Sequence, residues 1–225
     1  MTIFEGASPT VGFPHIAGLP WTKNPDRAHA EARKLLEEEG EGLARRLSLW
    51  LSTLNQPNVN SLLSRSMYRS SHHKWCLGGD HHDYVVWLHQ YKEPAEFAEA
   101  EGFAASTHNH RYGFSSRVVS GGLHATWFNV VGQDDVEHRE FDGGSNAHVE
   151  LRPAKQTWLR AGDVVTLDHH DIHQIDEVAP RTCTLLIQGP VRRDFSTVFN
   201  PSGGPVKIID AHETLLSRLT HRLSD

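Results

Sequence analysis

The chain has 225 residues, enough to bury a sizeable core within one large domain. Hydrophobic residues make up 38% and charged residues 22%, the balance of a globular protein, and a net charge near -6 without a Lys/Arg-rich run excludes a nucleic-acid surface. No stretch approaches the roughly 18 apolar residues that span a bilayer, so no membrane partner is expected. The first residues, "MTIFEGASPTVGFPHIAGLPW", lack a basic segment followed by an apolar one, so no signal peptide is expected. Two cysteines, Cys76 and Cys183, read as free thiols of a reducing cytoplasm.

Residues 1–22 carry Gly, Pro and scattered apolar residues without a period, as an extended arm would. Asn24-Pro25-Asp26 then has the chemistry of a helix start: a capping side chain, Pro at the first helical position and an acid in the first turn. Leu43, Leu47, Leu51 and Leu54 recur at helical spacing beside Trp50, and Gly40 and Gly42 separate this helix from the one before. "NQPNVN" reads as the end of the helical part, and residues 1–60 as an arm and helical layer on the outside of something else.

From about residue 83 the texture changes to short β-rich runs: "DYVVWLHQYK", "FSSRVVSG", "GLHATWFNVV", "DVEHREF", "AHVELR", "QTWLRAG", "DVVTLD", "HQIDEV" and "TCTLLIQG". Gly, Asp, Asn and Pro punctuate them and no helical crossovers intervene, which predicts a mainly β sandwich or barrel over 61–205. "DAHETLLSRLTHRL" reads as an amphipathic helix closing the chain within 206–225, all three parts forming one compact domain.

The chain carries 17 histidines, so a single His-x-His triplet proves nothing. Spacing is more informative. Gly102, His108, His110, Ser115 and Gly122 spell G-x5-H-x-H-x4-S-x6-G, which resembles the first cupin motif, with Ser115 where Glu is usual. Gly162 and His173 keep the spacing of the second cupin motif, while Asp168, His170 and Glu177 replace its Pro, Gly and Asn. On a strand, side chains at i and i+2 share a face, so His108 and His110 can grip one ion, with His173 from a neighbouring strand as third ligand. Three imidazoles suit Fe, Zn, Cu or Ni and leave positions open. His169 and His170, a doublet beside Asp171, read as neighbours of the site rather than ligands, and His72, His73, His81 and His82 as members of a polar connection without a role.

A three-His site without the Glu resembles the thiol dioxygenases, relatives of cysteine dioxygenase, over roughly residues 80–190. The resemblance implies a jelly-roll barrel (a double-stranded β-helix), Fe(II) as cofactor, and dioxygen plus a small chelating substrate as partners. "MYRSS" resembles a Tyr-x-Arg segment whose arginine grips the substrate carboxylate, with Tyr68 and Arg69 adjacent here. Animal-type enzymes place a cross-linked Cys at the position of Ser115 and a Tyr near that of Gln188. Neither is present, so another small thiol or non-thiol chemistry stays open. If Ser115 points inward, Arg117 shares its face, and a guanidinium there expects either a substrate carboxylate or an internal partner such as Asp168 or Glu150. Tyr112, two residues beyond His110, either hydrogen-bonds near the metal or packs. Alternatives to an oxygenase are a Zn- or Ni-dependent isomerase, hydrolase or condensing enzyme, and a non-catalytic metal- or ligand-binding cupin. The helical layer is expected either to cover the barrel or to mediate a homodimer.

Overall fold

In the computed structural model, residue 3 and residues 13–80, 82–102, 105–131, 149–200 and 207–210 are described. Helices α1 (Pro14–Ala17), α2 (Pro25–Glu38), α3 (Leu43–Ser52) and α4 (Gln56–Leu63) precede the strands, and α5 (Pro94–Ala98) lies among them. The Asn24 side chain caps α2 by accepting from the Arg27 N–H at 3.1 Å. "NQPNVN" does not end the helical part. Asn55 caps Asn58 N–H in the same way, Pro57 fits the first turn, and α4 runs on. Of the periodic leucines, Leu43 and Leu47 are buried but Leu51 is 38% exposed.

Among the described residues twelve strands follow: β1 (Met67–Tyr68), β2 (His72–Gly79), β3 (Val85–Tyr91), β4 (Thr107–His108), β5 (Tyr112–Ser120), β6 (Gly122–Val130), β7 (Leu151–Arg160), β8 (Val164–Leu167), β9 (Ile172–Val178), β10 (Cys183–Val191), β11 (Phe195–Phe199) and β12 (Lys207–Asp210). They form two six-stranded antiparallel sheets, ordered β1-β2-β3-β10-β5-β8 and β12-β11-β4-β9-β6-β7. After β4 the chain crosses repeatedly between the two sheets, apart from the pairs β6–β7 and β11–β12, which stay in the second, and this is a jelly roll of the cupin type. "AHVELR" and "QTWLRAG" merge into the single edge strand β7, where Pro153 costs no ladder hydrogen bond in the sheet interior. "DVEHREF" and most of the expected C-terminal helix lie outside the described residues; residues 207–210 at its start pair with β11 as a strand.

The first sheet is buried on both faces, so its strands read as continuous apolar runs. Val86, Leu185 and Ile187 turn outward into a core completed by Phe13, Trp21 and Leu36 of the helical segments. Val85, Trp87 and Leu186 turn inward, between the sheets. The helices therefore cover this sheet, and each large side chain buried there contributes roughly 1.5–3 kcal/mol. Helix α2 seats its His29 ring over β5 and β10, in a socket that a Cβ on Gly113 or Gly189 would fill, at 2.8 and 2.6 Å from His29 Nε2. No described helix is long and apolar enough to cross a membrane. Cys76 and Cys183 are free thiols.

Candidate metal centre

β4 and β9 pair antiparallel with His108 and His173 as direct partners, so the ladder itself sets two imidazoles side by side. His110 follows two residues after His108. The three rings lie 4.7, 4.7 and 5.1 Å apart between centroids, and one donor atom from each lies within 4.8 Å of the others. Asn109, between the two histidines, points the opposite way. Its backbone N–H donates to Thr197 O at 3.1 Å and its Oδ1 accepts from Thr197 N–H at 2.8 Å, which pins the His-x-His segment to β11. Arg193 Nε adds a hydrogen bond to His110 O at 3.1 Å.

The imidazoles are prepared as neutral donors. Burial pushes His108 down to about 4 and His173 down to about 3, and holds His110 well below the ordinary histidine range. His108 Nδ1 faces the Ser106 carbonyl at 2.7 Å, and a nitrogen facing a carbonyl carries the proton, so Nε2 is the nitrogen whose lone pair can ligate. The donor set fits a divalent metal with affinity for imidazole nitrogen. Gly102 (φ 91°) and Gly162 (φ 101°) occupy left-handed turn positions upstream of the ligand-bearing segments, which accounts for both motif glycines.

Alternation along β5 corrects the assignment of Ser115. Tyr112, Phe114, Ser116 and Val118 line the cavity between the sheets, whereas Ser115 faces α2, within 3.3 Å of His29 O and 3.0 Å of Thr166 Oγ1. The residue presented to the triad is Phe114, with its ring 5.1 Å from His110 and 6.1 Å from His173. With three rather than four residues between it and His110, Phe114 takes the motif position assigned from sequence to Ser115.

Arg117 is corrected for the same reason. It shares the outward face of Ser115, is 6% exposed, and its guanidinium donates to the carbonyls of Leu36, Glu37 and Gly40 at the C-terminal end of α2. Neither a substrate carboxylate nor Asp168 or Glu150 is its partner; backbone carbonyls at the negative end of a helix are. Tyr68 is 59% exposed and packs outside against His73 and Trp75. Gln188 is buried away from the cavity lining and accepts from Trp87 Nε1 at 3.0 Å. Arg69 and Tyr112 do reach the cavity. Tyr112 stacks on His110 at 5.3 Å and its hydroxyl accepts from Lys74 Nζ at 3.3 Å.

His72 and His73 lie on β2, not in a connection, and His72 lines the cavity with Lys74 and, from β3, His89 and Tyr91. The signal was present as alternate polar positions, His72-x-Lys74 and His89-x-Tyr91, at strand period. The whole cavity measures about 150 Å³, and among its described lining residues there is no Asp or Glu. A second donor group, Asp168, His169 and His170, gathers in the turn before β9, where the Asp168 carboxylate accepts from its neighbour's N–H and from His169 Nδ1.

Fold and site together define a cupin-type jelly roll with a buried three-histidine candidate metal centre. No protein-family model matches the chain, and no curated protein matches it in sequence. Among solved structures it is similar to KdgF from Halomonas sp., with 14% identity and a TM-score of 0.36 over 57% of this chain and 89% of that one. An RmlC-like cupin from Shewanella frigidimarina shares 22% identity, with a TM-score of 0.33 over 56% and 81% of the two chains. Hydroquinone 1,2-dioxygenase from Sphingomonas sp. TTNP3, with 4-hydroxybenzoate bound, shares 13% identity at a TM-score of 0.33, over 51% of this chain and 62% of that one. The cupin architecture stands on the strand order and register described above.

Proposed function

We propose that the protein is a mononuclear non-haem iron dioxygenase that oxidises a small carboxylate-bearing substrate, with thiols the leading class. The observation that carries this reading is the convergence of His108 and His173, both buried, and His110, partly buried, on a cavity without a described carboxylate. Ferrous iron held by these three residues would supply a redox-active Lewis acid with open positions for a chelating substrate and for dioxygen. Because the ligands are neutral, the site keeps the full charge of the ion and favours an anionic chelator.

The surrounding side chains have separable tasks. Ser106 O fixes the His108 tautomer, Asn109 holds the ligand segment on β11, and Tyr112 stacks on His110 to fix its plane. Phe114, Leu123, Ala125 and Trp127 exclude water from the reacting end. Arg69, partly exposed at the cavity wall, is placed to draw an anionic substrate toward the cavity. For a thiol the balance closes without an external reductant: thiolate plus dioxygen gives sulfinate, both oxygen atoms ending on sulfur.

Metal analysis of freshly purified protein, combined with oxygen uptake in the presence of small carboxylate-bearing thiols, tests the reading. Iron near one per chain with substrate-dependent uptake is expected, and His173→Ala should abolish both. Firmly held zinc without uptake would sink the oxygenase reading in favour of Lewis-acid chemistry or a binding role.

A further inference from the structure

The cavity has a second polar wall that the metal chemistry leaves unused. On the first sheet, Lys74 of β2 is the direct register partner of His89 on β3, and His89 is in turn the partner of Thr184 on β10. All three residues line the cavity, as do His72 and Tyr91 in the adjoining row. Lys74 is 9% exposed, with its Nζ 4.4 Å from the centre of the Trp87 ring and 3.3 Å from the Tyr112 hydroxyl. Those aromatic contacts hold the ammonium at the wall by cation–π attraction. The His89 side chain is also 9% exposed, and its Nε2 is buried with no hydrogen-bond partner. A buried polar nitrogen left unbonded is costly, so an unbonded nitrogen on a cavity wall points to a group that the cavity is built to receive.

We propose that Lys74 and His89 form a carboxylate subsite, which fixes the end of the substrate remote from its metal-chelating group. The charge pattern selects an anion: Lys74 and Arg69 line the cavity, no described Asp or Glu does, and a divalent metal on neutral imidazoles would add to the positive field. The size selects a small one, since a cavity of about 150 Å³ accommodates a benzene-sized molecule. The geometry selects a bifunctional one. Lys74 touches Tyr112 and Tyr112 stacks on His110, so one phenol ring separates the ammonium from the triad. A short chain with a carboxylate at one end and a metal-binding atom at the other matches this layout. Lys74 is then the residue that distinguishes such a substrate from its uncharged analogue.

This assignment rests on the reading above for the metal end of the ligand only, and the anion end can be tested separately. The probes are 3-mercaptopropionate and 1-propanethiol, which share a chain length and differ in the carboxylate. Each is titrated calorimetrically into metal-free protein, and into cobalt-loaded protein with the thiolate-to-metal charge-transfer band as readout. A charge-assisted contact predicts that wild type prefers 3-mercaptopropionate by about tenfold or more. Lys74→Met, which keeps the aliphatic stem against Trp87, should erase that preference and leave 1-propanethiol affinity unchanged, while Lys74→Arg restores part of it. His89→Phe should weaken 3-mercaptopropionate alone. Equal affinity of wild type for the two probes overturns the proposal even if a variant fails to fold. A preference that survives Lys74→Met overturns it as well, and so does equal weakening of both probes. If the triad binds no metal, the cobalt band is missing from every protein, wild type included, while the preference in metal-free protein still depends on Lys74.

Discussion

Replacing Arg117 by Met separates the role read from sequence from the role seen in the fold. Met keeps most of the side-chain stem but removes a guanidinium that is 6% exposed and bonded to three carbonyls of the α2 C-terminal region, two of them at 3.2 and 2.9 Å. Hydrogen bonds to a charged group are each worth about 1.5–3 kcal/mol net and are not additive within one cluster. Three such bonds, less than additive, together give a loss of about 3–5 kcal/mol, because the carbonyl acceptors left behind lose their partners. For a domain of this size each kcal/mol moves the Tm by about 2–4 °C, so Arg117→Met should melt roughly 6–20 °C below wild type. Scanning calorimetry measures the shift. Metal content and 3-mercaptopropionate affinity, measured well below the transition, should match wild type. An unchanged Tm with weakened probe binding would refute this reasoning and return Arg117 to the substrate.

Other outcomes follow from the same geometry. Ser115→Ala should leave metal content unaltered and lower stability by only about 1 kcal/mol in chemical denaturation, since Ser115 bonds to α2 and Thr166, not to the triad. Asn109→Ala frees the ligand segment from β11 and should weaken metal retention about 10–100-fold in a chelator competition, with all three imidazoles intact. His29 is pushed down to about 4 by burial, so its neutral form stabilises the fold fully above pH 6.5. That contribution is lost as pH falls from 6.5 to 4, because the unfolded chain takes up the proton first. The loss is about 3 kcal/mol, and His29→Gln should shrink the stability difference between pH 7 and pH 4 by that amount.

The barrel was legible because its strands are short, β-rich and separated by turn residues. The triad was legible because His-x-His at strand period and a distant histidine in motif spacing need no knowledge of packing. Ser115 and Arg117 were misplaced together, and by one cause. A slip of a single residue along a strand exchanges its two faces, so taking Ser115 as inward carried Arg117 with it and hid Phe114. The apolar content of β3 and β10 reflects two buried faces, so alternation shows only at scattered polar positions, His89 and Tyr91 on β3 and His72 and Lys74 on β2. The helix at Gln56 was lost because "NQPNVN" looks like a turn, although Asn55 and Pro57 are the cap and first-turn residues that also start α2.

The register pairing of His108 with His173 has a consequence for how the centre is loaded. The backbone ladder brings together ligands about 65 residues apart, so closing that loop belongs to chain folding, and its entropic cost grows only slowly with length. An arriving ion would meet an assembled nest rather than a disordered chain, unlike a zinc finger, whose metal creates its fold. Metal-free protein is therefore expected to be a folded acceptor that can trade one divalent ion for another without unfolding, its occupancy set by the ions its surroundings supply.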